Sequence, residues 1–234
     1  VVDFWVAGES TADVTLEFRD ADSQVIREYS GQDLAASAGM NRWAWEMRYP
    51  GVELPPSAGA LPDFESSDHS PPSRPVAPPG SYRVRLTAGE QVLEQPFEIR
   101  RDPRTTASDA DLVAQFELMV AINGRVTDVT ETVLGVREIR ADVIARRAGL
   151  DDPDAILRQL DDIEAELTIW MGTEEHPMMF GPPGLIQKLS RLSGAVISAD
   201  QRPTPSMYAV FDDLSARLER RRVELRGLID QLER

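Results

Sequence analysis

Apolar residues recur at every second position through the first hundred residues and at every third or fourth position thereafter, and the change falls at Asp102-Pro103-Arg104. In DVTLEF, Val14, Leu16 and Phe18 share one face, and after the turn residues DADS the run QVIREY resumes, which predicts a β-hairpin. NRWAWEMRY alternates in the same way, with Trp43, Trp45, Met47 and Tyr49 on one face and Arg42, Ala44, Glu46 and Arg48 on the other. SYRVRLTAGEQVLEQPFEIR adds two strands around a short AGE turn, and Pro96 assigns the second of them to a sheet edge or bulge. Around seven short strands in about 100 residues predict a small antiparallel sandwich of immunoglobulin type. Alternation places Trp5, Trp43 and Trp45 in its core.

Beyond residue 102 the pattern is helical. Ser108 and Asp111 have the spacing of a capping box and open a helix expected to reach about Ala148, with Gly124 and Gly135 as points where it could bend. Its seam is Met119, Ile122, Val126, Val129, Val133, Val136 and Val143, interrupted by Arg140. A second helix begins after Asp152, with Pro153 in its first turn, and carries Ile156, Leu160, Ile163, Leu167 and Trp170. A third runs from about Pro183 to Ala199, and a fourth from the Thr204-Pro205 cap to the C-terminus. Four amphipathic helices with short connections predict an antiparallel bundle in up-down-up-down order. The expected fold is therefore α+β: an Ig-like β-sandwich over 1–101, a linker at 102–107 and a four-helix bundle over 108–234.

Composition modifies this picture in three places. Nine of the 17 prolines lie between Pro50 and Pro79, so this insertion at 50–79 is expected to run over the surface as an extended or partly disordered loop. A net charge of −15 argues against nucleic acid, whose binding needs clustered basic side chains; the one dense basic stretch, Arg217 to Arg226, is interleaved with Glu219 and Glu224. No apolar run approaches a membrane span. The chain opens without methionine inside a strand pattern, as expected of a processed protein or a piece of a longer one.

Candidate chemistry is sparse. The absence of cysteine removes disulfides and thiolate chemistry. His69 lies in the proline-rich insertion, and His176, after Glu174 and Glu175, lies in a second loop, Gly172 to Gly184; neither has the further ligands a metal needs, and neither stands beside a plausible serine nucleophile. Acidic pairs such as Asp161 and Glu164 read as a polar helix face. No catalytic, cofactor-binding or metal residue is therefore assigned. Met178, Met179 and Phe180 are three large apolar residues in that second loop that need cover, and they form the candidate interaction surface.

The segments GMNRWAWEMRYPG, APPGSYRVRLTAGEQ, RRDPR with SDADLVAQFELMVAINGRV, and GPPGLIQKLSRLSGAVISADQRPTPSMYAVFDDLSARL together resemble the C-terminal region of large bacterial BNR-repeat proteins known as glycosyl hydrolases, which carry sortilin-like (VPS10-type) β-propellers upstream. The first hundred residues also resemble the immunoglobulin-like module of flagellar hook-capping proteins. The resemblance implies a non-catalytic accessory or interaction module, exported to the periplasm or cell exterior, whose partners are the propellers of the same protein or a second copy. The sugar chemistry would belong to the propellers, whose SxDxGxxTW pattern this sequence lacks. A carbohydrate-binding accessory domain is the alternative.

Overall fold

The computed structural model describes residues 1–7, 14–55, 72–168 and 183–233. The chain is mixed α+β, with six strands in two small antiparallel sheets and five helices among the described residues. The strands are β1 (Val2–Val6), β2 (Val14–Arg19), β3 (Val25–Ser30), β4 (Gly39–Trp43), β5 (Gly80–Ala88) and β6 (Gln91–Ile99). The helices are the single turn α1 (Gly31–Leu34), α2 (Asp109–Ala145), α3 (Pro153–Leu167), α4 (Leu185–Val196) and α5 (Pro205–Leu232). Two compact units result. One contains Val1–Pro50, Arg74–Phe116 and Asp200–Arg202; the other contains Gly51–Ser73, Glu117–Ala199 and Pro203–Arg234.

In the first unit β1 pairs with β4, and the second sheet has the order β3-β2-β5-β6. The β2–β3 hairpin forms at DADS: the Asp20 carboxylate accepts from the Gln24 amide at 2.8 Å, and Ser23 takes the left-handed conformation the turn needs. The β5–β6 hairpin turns through Gly89 at φ +58°. Pro96, which has no amide to donate, sits on β6 at the sheet edge as its chemistry demands. Inward-facing Phe4, Val6, Val14, Leu16, Phe18, Ile26 and Tyr82 join Trp45 in one buried cluster. The Trp45 ring stacks on Phe18 at 4.7 Å.

Two expectations for this unit need correction. The tryptophan strand stops at Trp43: Met47 adopts φ +55°, which no ladder accommodates, and is 47% exposed. Trp45 therefore enters the core from irregular chain, anchored by its indole N–H donating to the Arg48 carbonyl at 3.3 Å. Beyond the turn the chain pairs again, with the Ala77 amide donating to Met47 O and the Tyr49 amide to Pro75 O, so both ends of the proline-rich insertion are clamped side by side. Trp5, placed by alternation in the core, is instead 67% exposed. Val2, Phe4 and Val6 occupy the inner face of β1, and period two sends Trp5 to the other.

The second unit is built on the predicted seams. Met119, Ile122, Val126, Val129, Val133, Val136 and Val143 of α2 are fully buried and pack with α3, α4 and α5 around one cluster. The described ends of the insertion are not free surface loop: Val52 and Leu54 pack against this cluster, and the Thr130 hydroxyl donates to Glu53 O at 3.3 Å. The caps form as read, with the Asp152 carboxylate accepting from the Ala155 amide and the Thr204 hydroxyl from the Met207 amide. Helix α2 ends three residues short of Ala148, in a 3-10 turn over Arg147–Gly149.

Helix direction departs from the up-down-up-down expectation. Arg137 meets Glu164 and Arg140 meets Asp161, so α3 runs antiparallel to α2. Arg125 meets Glu219, whereas Gly135, ten residues further along α2, faces Leu225, so α5 runs parallel to α2. Helix α4 begins where α3 stops: a Cβ on Gly184 would lie 2.3 Å from the Thr168 carbonyl oxygen, so glycine alone fits the junction. Lys188, one turn in, stands within electrostatic reach of Glu166, Arg217 and Asp213, and residues 197–204 must then return to the start of α5. Helices α3 and α4 thus point the same way in tandem, and their 15 and 12 residues match the 28 of α5. The four helices form three columns.

The capping box at Ser108 is complete. The Ser108 amide donates to Asp111 Oδ2 at 3.0 Å and the Asp111 amide to Ser108 Oγ at 3.2 Å, while the Arg202 guanidinium donates to Asp111 Oδ1 at 2.8 Å. Hydrogen bonds from the Ser108 hydroxyl and Arg202 pull the Asp111 pKa down from its ordinary value to about 2. A depressed carboxylate adds stability that is complete above its unfolded value and is lost as the pH falls through the folded one. Protection of the Asp111 amide against hydrogen exchange is therefore expected to decline between about pH 4 and pH 2, and Asp111→Asn should remove that pH dependence.

Candidate functional site

Met178, Met179 and Phe180 lie outside the described residues, as do His69 and His176. Among the described residues three places remain where chemistry or binding could reside: the outer face of the β1–β4 sheet, the ion pairs of the helical unit, and a groove beside α5.

Strand pairing builds the first. Antiparallel register sets Asp3 opposite Arg42 and Trp5 opposite Met40, and all four side chains project from the face that Phe4 and Val6 leave free. Arg42 binds the Asp3 carboxylate through two bonds, Nε to Oδ1 at 2.7 Å and Nη2 to Oδ2 at 2.9 Å. The bond from Arg42 lowers the Asp3 pKa, and the same contact raises that of Arg42. Beside this neutralised pair Trp5 and Met40 are each 67% exposed. An indole, a thioether and a bidentate ion pair on one flat surface can dock an apolar ring or strand and orient it with hydrogen bonds. The signal was present in the sequence, because VDFWV carries apolar residues on both faces and only one can meet the core. Trp43 lies half-buried against Tyr29, ring centroids 4.8 Å apart, and Trp45 is buried, so these three tryptophans have three different environments, while Trp170, expected on the α3 seam, lies outside the described residues.

In the helical unit Arg140 occupies a seam position of α2, and Arg221 occupies one of α5. Each is matched by a glutamate of α3. Glu164 accepts from Arg137 Nε at 2.7 Å and from Arg140 Nη1 at 2.6 Å, and Arg140 also reaches Asp161 at 2.7 Å. Glu166 accepts from Arg217 and Arg221. Burial raises the Glu166 pKa, but the two guanidinium contacts outweigh it and leave the group below its usual range. Asp161 and Glu164 thus pair with arginines of α2, and the cluster ties α3 to α2.

A groove of about 390 Å³ lies between α2 and α5, lined by Glu131, Thr132, Glu219, Arg222, Leu225 and Arg226. Its charges are largely mutual: Arg222 pairs with Glu219, and the Thr132 hydroxyl donates to Asp128 O at 2.7 Å. The buried hydroxyls of half-buried Ser190 and Ser215 have no imidazole to activate them among the described residues. Among those residues no three His, Cys, Asp or Glu side chains converge as metal ligands, and no helix is long and apolar enough to cross a membrane. The searches of family models, curated proteins and solved structures found no match to this chain.

Proposed function

We propose that this chain is a non-catalytic accessory and interaction module of a larger exported β-propeller protein. The observation that carries the reading is the Trp5–Met40 surface, two large apolar side chains set in water on a sheet whose other face is filled. The motifs GMNRWAWEMRYPG and APPGSYRVRLTAGEQ support it through their resemblance to propeller-protein C-terminal regions, which would place the module in the periplasm or outside the cell. Met178, Met179 and Phe180 belong to the same proposal as a second contact with the propellers. The sheet order supports an immunoglobulin-like reading, since β1-β4 and β3-β2-β5-β6 correspond to strands B-E and C′-C-F-G of such sandwiches.

A screen of the purified chain against chromogenic glycosides, peptides and phosphate esters tests the non-catalytic part, and the expected result is background turnover throughout. Hydrolysis abolished by Asp161→Asn together with Glu164→Gln would overturn it. The alternative, carbohydrate binding, is favoured by one observation: Trp5 stands exposed beside the hydrogen-bonding Asp3–Arg42 pair, as a sugar-stacking ring would. It requires retention of the chain on a glycan array that Trp5→Ala eliminates.

A further inference from the structure

We propose that the groove between α2 and α5 binds a dipolar ligand, a free α-amino acid or short peptide with aliphatic side chains, whose ammonium sits on Glu131 and whose carboxylate sits on Arg226. The site lies within the helical unit and goes beyond the interaction-module reading, since it shares no residue with the Trp5–Met40 surface.

The groove exists because α2 presents short side chains where α5 presents long ones. Gly135 faces Leu225 with no side chain of its own, and a Cβ there would lie 3.8 Å from Leu225 Cδ2, in ordinary contact. Thr132 is 6% exposed and turns its hydroxyl back to Asp128 O. Leu225, 7% exposed, is left as an apolar floor, with Glu131 on the α2 wall and Arg222 and Arg226, one helical turn apart, on the α5 wall. A volume of about 390 Å³ falls in the range of small-molecule sites.

The charges on the two walls are matched unequally. Glu219 Oε1 accepts from Arg125 at 3.1 Å and from Arg222 at 3.3 Å, so these three are answered within the helices. Arg226 directs its Nε to Arg222 O at 3.2 Å and meets no carboxylate within ion-pair distance among the described residues. That leaves both of its Nη groups to hold a carboxylate end-on. Glu131, exposed on the facing helix, has neither a hydrogen bond nor an ion pair among those residues. The two unmatched groups line one groove without reaching each other. An anion would gain Arg226 but stand beside Glu131 and Glu219, and a cation would gain Glu131 but stand beside two guanidinium groups. A ligand carrying both charges is attracted by both walls, and an aliphatic side chain between them covers Leu225.

Titration of the isotope-labelled chain with L-leucine and with the dipeptide Leu-Leu, followed by NMR, is expected to shift the Leu225 and Arg226 amide signals. The expected Kd is on the order of 1 mM, weak because the groove is open to water. A shift with either compound supports the site, and the tighter of the two tells whether a free amino acid or a peptide is the ligand. N-acetyl-leucine and leucinamide, each lacking one charge, should bind at least about tenfold more weakly than leucine. Glu131→Gln should abolish the preference for leucine over N-acetyl-leucine, and Arg226→Gln the preference over leucinamide. Both positions are exposed, so the circular dichroism should stay unchanged. Three outcomes would each overturn the proposal: no shift with leucine or Leu-Leu at about 50 mM, singly charged analogues that bind as tightly as leucine, or preferences that both variants leave intact. Any of them would leave the interaction-module reading standing.

Discussion

Glu164→Ala is expected to lower the stability of the helical unit by about 3 kcal/mol, the low end for breaking a buried ion pair by removing one partner. The Glu164 side chain is 11% exposed, and its carboxylate is the shared acceptor of Arg137 and Arg140, whose side chains are 23% and 26% exposed. Truncation leaves two guanidinium groups half-buried at a seam otherwise lined with valine. Asp161 can still hold one donor of Arg140, which keeps the cost from the upper end of the range. Urea unfolding followed by helical ellipticity measures it. Replacing all three members, Glu164→Leu with Arg137→Leu and Arg140→Leu, should recover most of the loss, because an apolar cluster of similar volume carries no desolvation cost. If the single variant unfolds like the parent, water solvates this cluster and the pair is ornamental.

The second large effect separates two tryptophans. Trp45→Ala should cost about 3–5 kcal/mol, the range for removing a buried aromatic and leaving a cavity. Trp45 is 8% exposed, stacks on Phe18, and meets Tyr82 and Phe97 edge-on at 6.1 and 6.3 Å. Its loss opens the centre of the cluster that joins the two sheets. Trp5→Ala, at a position 67% exposed, should change stability by less than about 0.5 kcal/mol. Thermal melts of the two variants side by side provide the comparison. Equal destabilisation would mean that Trp5 is covered in the single chain, and the binding surface would lose its basis.

Local rules account for much of the fold. Period two with DADS and AGE turns made the hairpins legible, and Pro96 marked an edge. Capping chemistry at Ser108, Asp152 and Thr204 set the helix starts within a residue or two, because a cap depends only on neighbours along the chain. Arg140 was visible as a break in the α2 seam; that Glu164 would answer it was not, since the partner lies 24 residues away on another helix.

Amphipathic pattern determined which face of each long helix and of strands such as β2 is apolar, but not which way an element runs. Helix direction was decided by tertiary packing: a seam reads the same from either end, and contacts such as Arg137–Glu164 with Arg140–Asp161, Arg125–Glu219 with Gly135–Leu225, and Gly184 with Thr168 place α3 and α4 in tandem against α5. The fate of the tryptophans was decided there too. A strand with apolar residues on both faces has no local reason to bury one rather than the other. In β1 the core took Phe4 and Val6, and Trp5 was left facing water.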